Sequence, residues 1–138
     1  MSTCICLAAF ARGRHRLRWA LPALSLAAGL ACHPAHAQPR VGGTQLVSRA
    51  GLTLYTFDND VAGSGRSVCN PPCTNLFRPY AVEPGARPQG EAGAITRDDG
   101  TRQWAWKGRP LYLWVDDKKP GQAGGDGINH NTWHVARP

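Results

Sequence analysis

The sequence predicts an all-β fold: a small single domain of two pseudo-symmetric β-hairpin-based repeats packed together. Three observations lead there. Gly (16) and Pro (11) make up about a fifth of the 138 residues, and both disfavour helix interiors, which argues against a helical bundle. Five Trp, three Tyr and three Phe residues are too many for a disordered, weakly hydrophobic tail. Finally, Gly51-Leu-Thr-Leu-Tyr55-Thr-Phe57-Asp58-Asn59-Asp60 returns as Gly108-Arg-Pro-Leu-Tyr112-Leu-Trp114-Val115-Asp116-Asp117. Two copies are too few for a solenoid, so they are expected to pack face to face about a pseudo-two-fold axis.

Residues 1–37 read as a signal peptide. Arg12, Arg14, Arg16 and Arg18 precede the apolar run Trp19–Ala31, and Ala35-His36-Ala37 closes it with small residues. Positive flank, apolar middle and an A-x-A end are the marks of a secretory leader. The run falls short of the roughly 20 residues that cross a bilayer as a helix. No later segment is apolar enough to do so. A lipid anchor at Cys32 is the less favoured ending, because Gly29 stands where a lipobox carries Leu. The mature chain, 38–138, is therefore expected to be periplasmic or secreted.

Loss of the leader changes the charge. Four arginines leave, so Lys+Arg falls from 16 to 12 against nine acids, and the net charge drops from +7 to +3. A nucleic-acid footprint is not expected on such a chain.

Within the mature chain repeat one spans about 41–82, a linker about 83–93, and repeat two about 94–136. Gln45-Leu46-Val47 and the Leu52–Phe57 run form a strand pair joined by a tight turn at Arg49-Ala50-Gly51, where Gly supplies positive φ. Around Asn70 to Asn75 a short helix fits. Repeat two opens with a hairpin of Ala94–Arg97 and Thr101–Trp104 around Asp98-Asp99-Gly100. Gln103–Trp106 then pairs through Lys107-Gly108-Arg109 with the Leu111–Val115 strand. Both faces of these central strands are apolar or aromatic, as in strands covered on two sides.

At these residues the chain resembles the secreted bacterial repeat proteins with a Tyr-x-(Phe/Trp/Tyr)-x-x-Asp motif, many of them predicted lipoproteins. The instances are Tyr55-x-Phe57-x-x-Asp60 and Tyr112-x-Trp114-x-x-Asp117. Cys69-x-x-x-Cys73, Thr96-Arg-Asp-Asp-Gly100, Gln103-Trp104, Pro120-Gly121, Gly125-Asp126-Gly127 and Trp133-His134 carry the resemblance along the mature chain. Phe77 stands where such proteins commonly have Trp. The resemblance implies export and a repeat architecture, and no established activity.

The motif residues invite two readings. Tyr and Asp five apart, on a strand and just past its end, are placed to hydrogen-bond and close the loop that follows. Alternatively Asp60 and Asp117 line a ligand site beside tyrosine stacking platforms. The structural reading is preferred, because a feature needed to build each half occurs in each half. Cys69 and Cys73, the two cysteines of the mature chain, read as a disulfide in an exported protein.

The alternative is a periplasmic copper-binding or thiol-redox protein using the Cys69/Cys73 pair with His134. His130 and His134 would then share one face of a strand around Trp133. A calcium loop at Asp58–Gly63 lacks its oxygen ligands at the fifth and twelfth positions, which are Ala62 and Cys69. No Gly-x-Ser-x-Gly elbow or phosphate loop occurs. The expectation is a non-enzymatic binding or structural module of the cell envelope, without cofactor. Its partner would be a small molecule or an envelope protein.

Overall fold

The computed structural model describes residues 38–138; the expected leader, with Cys32, lies outside the described residues. Among the described residues nine short strands form three antiparallel sheets, so the fold is all-β. The first repeat contributes β1 (Arg40–Gly42), β2 (Gln45–Val47), β3 (Tyr55–Phe57), a 3-10 turn at Cys73–Asn75, and β4 (Phe77–Pro79). The second contributes β5 (Ala92–Thr96), β6 (Arg102–Trp106), β7 (Arg109–Pro110), β8 (Tyr112–Trp114), a helical turn at Ile128–Asn131, and β9 (Trp133–Val135).

The turns follow their sequences. Ser48 and Leu52 close the first turn with an N–H···O bond of 2.8 Å, and Gly51 takes φ 81°. Between β6 and β7 the two loop residues, Lys107 and Gly108, both have positive φ (47° and 78°), the requirement of a two-residue hairpin turn of matching twist. The Asp98-Asp99-Gly100 hairpin forms as expected. Its ends are held by Arg97 N to Thr101 O at 2.8 Å, and Gly100 sits at φ 81°.

The central sheet corrects the expectation of two halves laid face to face. Its strand order is β4-β8-β3-β9. Every ladder in it joins one repeat to the other: β3 to β8, β3 to β9, and β4 to β8. Tyr55 is paired with Tyr112 at its middle, where the pseudo-two-fold axis runs. Each repeat thus lends its last strand to the other's central strand, and the halves are interleaved. The strand expected over Leu52–Phe57 is correspondingly broken. Thr53 makes a lone bridge to Val47, Leu54 N donates to Leu46 O at 3.0 Å, and only Tyr55–Phe57 enters the central sheet.

Two apolar clusters result. Leu46, Leu54, Tyr80, Trp104, Leu111 and Ala136 form one, between the hairpins and the central strands. Tyr55, Phe57, Cys69, Phe77, Tyr112 and Trp133 form the other, on one side of the central sheet. The motif glycines bring the repeats together. A Cβ on Gly108 would lie 2.6 Å from the Gly63 backbone nitrogen. Gly51, its counterpart, faces Pro120, the residue 57 positions after Gly63, at 3.3 Å.

Candidate functional site

The six motif residues converge on the axis of the central sheet. Tyr55 and Phe57 project to one side of β3, as Tyr112 and Trp114 do on β8, because residues two apart on a strand share a face. Phe57 is paired with Trp133, and Phe77 with Trp114. Their rings make a continuous row. Phe57 stacks on Trp133 (centroids 4.4 Å, planes 14° apart), Trp133 on Phe77 (3.5 Å, 1°), and Phe77 meets Trp114 at 4.7 Å. The tyrosines close the row edge-on, Tyr55 against Phe77 at 5.8 Å and Tyr112 against Trp133 at 5.0 Å. The row keeps the symmetry of the repeats, since Phe57 corresponds to Trp114 and Phe77 to Trp133.

The hydroxyls correct the expected loop closure. Tyr55 does not reach Asp60; its hydroxyl donates to Asp117 Oδ2, in the other repeat. Tyr112 donates to Asp60 Oδ2 at 2.5 Å. The second carboxylate oxygen secures the loop after its own motif: Asp60 Oδ1 accepts Val68 N–H at 2.7 Å, and Asp117 Oδ1 accepts Gly124 N–H at 3.0 Å. Each tyrosine oxygen also meets the same loop, through Ser67 Oγ at 2.6 Å for Tyr112 and Gly125 N–H at 3.2 Å for Tyr55. Each Asp therefore ties its own loop to the other repeat's tyrosine. All four residues are buried. Burial first, and then the hydrogen bond to the carboxylate, raises both tyrosine hydroxyls well above their ordinary value.

Cys69 and Cys73 are joined by a disulfide at the 3-10 turn. A residue that sequence reasoning missed holds this loop from the second repeat. Arg97, 6% exposed, donates to the Cys69 carbonyl, to Asn70 Oδ1 at 3.2 Å and to Gln103 Oε1 at 2.6 Å. The hint of it in the sequence was a basic residue just past β5, at the foot of the Asp98-Asp99-Gly100 turn.

His134 lies on β9 and pairs with Asp58 at 3.0 Å. His130 is not on that strand. It sits in the 128–131 turn with φ 58°, between Asn129 (φ 54°) and Asn131 (φ 62°). Cys69, Cys73 and His134 are not brought together, and among the described residues no group of three His, Cys, Asp or Glu side chains is placed to hold a metal ion.

Beside the disulfide opens a cavity of about 520 Å³. The buried rings of Phe57, Phe77 and Trp133, the exposed Val68 and Leu76, and Ile128 line it, with Asn59 and Asn129 as its polar residues apart from Cys73. Its lining carries no charged side chain. Val68 and Leu76 are 61% and 51% exposed, and such apolar residues in a loop of Pro, Asn and Cys were the signal available in the sequence. Among the described residues no helix is long and apolar enough to cross a membrane.

No curated protein and no solved structure matches the chain. A family model described as a secreted repeat of unknown function matches it twice, over residues 39–79 and 93–137. Each match contains one Tyr-x-aromatic-x-x-Asp motif. The interleaved halves are two copies of that repeat, and the chain, an exported protein, belongs to this family of secreted repeats.

Proposed function

We propose that this exported protein is a non-enzymatic binding module of the cell envelope, periplasmic or secreted rather than lipid-anchored at Cys32. Its site is the cavity beside the disulfide, and its ligand an uncharged, mainly apolar small molecule. The observation that carries the reading is a contrast. The motif tyrosines and aspartates are all bonded inside the fold, whereas the apolar cavity opens to solvent with exposed Val68 and Leu76 in its lining. Cavities of this size, lined by apolar and aromatic groups with a few polar ones, are the usual form of small-ligand sites. Asn59 and Asn129 would fix orientation, since each side-chain amide offers both donors and an acceptor.

Support for a non-enzymatic role comes from the same bonding pattern, which leaves no motif carboxylate free as a general base. Support for export comes from the family, whose members are described as secreted repeats.

The test uses N-phenylnaphthylamine, an uncharged fluorescent probe, titrated into the mature protein. Saturable binding that quenches tryptophan emission is expected, because Trp133 lines the cavity. Val68→Asp should abolish it, while Val41→Asp, at an exposed position on β1, should leave it unchanged. Equal binding to both variants would defeat the proposal.

A further inference from the structure

We propose that each repeat is a half-domain that accepts its complement from a second copy of this chain, the covalent link between repeats serving only to raise their local concentration. The inference rests on where the central strands find their partners. β3 is bonded to β8 and β9, and β4 to β8; none of these ladders lies within one repeat. Backbone bonds outside the ladders follow suit. Leu46 N donates to Ala136 O at 2.8 Å, Tyr80 N to Leu111 O at 2.9 Å, Val115 N to Leu76 O at 3.0 Å and Asp58 N to Thr132 O at 2.9 Å.

Take one repeat away and the other keeps its N-terminal hairpin but loses every partner of its motif strand. Exposed strand edges and an uncovered aromatic face are the features through which chains pair. The buried carboxylates would also lose their tyrosine donors. A single repeat therefore carries the whole interface and none of its completion.

The connection does not enforce a partner from the same chain. Val82 is still bonded to the second repeat, its N–H to Arg102 O at 2.9 Å, and β5 opens at Ala92. Residues 83–91 join them, with Ala86 packed in the first apolar cluster and the Glu91 carbonyl accepting Lys107 N–H at 3.0 Å, and can span about 30 Å when extended. Such a tether gives an effective concentration on the order of millimolar, so the closed monomer prevails in dilute solution. Exchange between copies needs either a cut tether or refolding at high concentration, the usual route to reciprocal swapping. The disulfide, Cys69–Cys73, lies within the first repeat and does not join the halves covalently.

The experiment starts from the folded mature protein carrying a protease site in place of Arg87-Pro88-Gln89-Gly90, a stretch exposed throughout. After cleavage the halves should remain together as a 1:1 pair under native conditions. All four tryptophans of the mature chain lie in the second half, so tryptophan emission reports its burial alone. Cut protein with and without 15N label is then mixed, unfolded, and refolded. Native mass spectrometry should find labelled halves paired with unlabelled ones in statistical proportion. Tyr55→Phe in the first half should raise the concentration at which the pair dissociates by about tenfold. The proposal fails if the halves separate on cleavage or if only parental pairs return after refolding. It also fails if the separated second half alone keeps the emission of the intact protein. No probe is added in any of these experiments, so they stand or fall independently of ligand binding.

Discussion

Tyr112 and Asp60 lie 52 residues apart in the chain, in different repeats, and meet at 2.5 Å. Tyr55 and Asp117 repeat the contact across the pseudo-two-fold axis. The motif is thus completed between copies, and its spacing places a donor and an acceptor where each can serve the other half. The four residues from Tyr55 to Asp58 and their counterparts are strand and strand end, so Asp60 and Asp117 fall beyond the sheet, over the opposite tyrosine.

This arrangement makes a specific energetic expectation. Tyr55→Phe removes one donor from the buried Asp117 carboxylate and should cost about 1–3 kcal/mol. A double-mutant cycle of Tyr55→Phe with Asp117→Asn should show coupling well above additivity, and so should Tyr112→Phe with Asp60→Asn. The pairs within a motif, Tyr55 with Asp60 and Tyr112 with Asp117, should be additive to about 0.5 kcal/mol. Denaturant unfolding of the eight variants decides between the two patterns.

Alkaline pH should unfold the protein. Burial is the first cause raising all three tyrosines, with hydrogen bonds to carboxylates adding to it at Tyr55 and Tyr112. The folded state then keeps phenolic protons that the unfolded chain releases. Stability is full below the ordinary tyrosine value of ~10 and falls as pH rises above it. Tyrosinate absorbance should therefore appear together with loss of far-ultraviolet dichroism. Ionisation of even one tyrosine at its ordinary value, in the folded protein, would contradict the geometry.

Gly108→Ala should destabilise more than Gly43→Ala. Both positions have positive φ, but only at Gly108 does the new Cβ strike backbone, 2.6 Å from Gly63 N. The conformational cost of about 1 kcal/mol is shared, while the displaced Gly63 loop adds about 1–3 kcal/mol at Gly108 alone. Thermal unfolding of the two variants measures the difference.

Reduction of Cys69–Cys73 should lower stability by about 2 kcal/mol, the value expected for so short a closed loop. The loop stays anchored by Arg97, so the protein should remain folded when reduced. Thiol titration of protein isolated without reductant should find no free thiol even after unfolding. Two titratable thiols there would remove the disulfide from the structure.

Much of the local structure was legible because its causes are local. Gly51, Gly100 and Gly108 mark their turns through positive φ, and the alternation in Ala94–Trp104 marks its hairpin. The repeat itself was legible from Tyr55 and Tyr112, Asp60 and Asp117. Which tyrosine meets which aspartate was not, since both choices use the same residue types and differ only in strand order. That order is fixed by pairings such as Phe57 with Trp133, between residues far apart in the chain. His130 was misplaced for a different reason. Alternation with Trp133 and His134 puts it on the strand, whereas the correspondence of Phe77 with Trp133 sets it opposite Thr74, in the 3-10 turn. Of the cavity only Val68 and Leu76 gave a hint, because its lining residues come together only after the interleaving.

The reciprocal contact also binds the two copies in time. After a gene duplication, sister segments are ordinarily at liberty to drift apart. Here a change to one copy's phenol is felt by an acid in its sister, and compensation has to arise in the opposite segment. The pair is constrained to diverge in step, one lineage carried twice in a single chain.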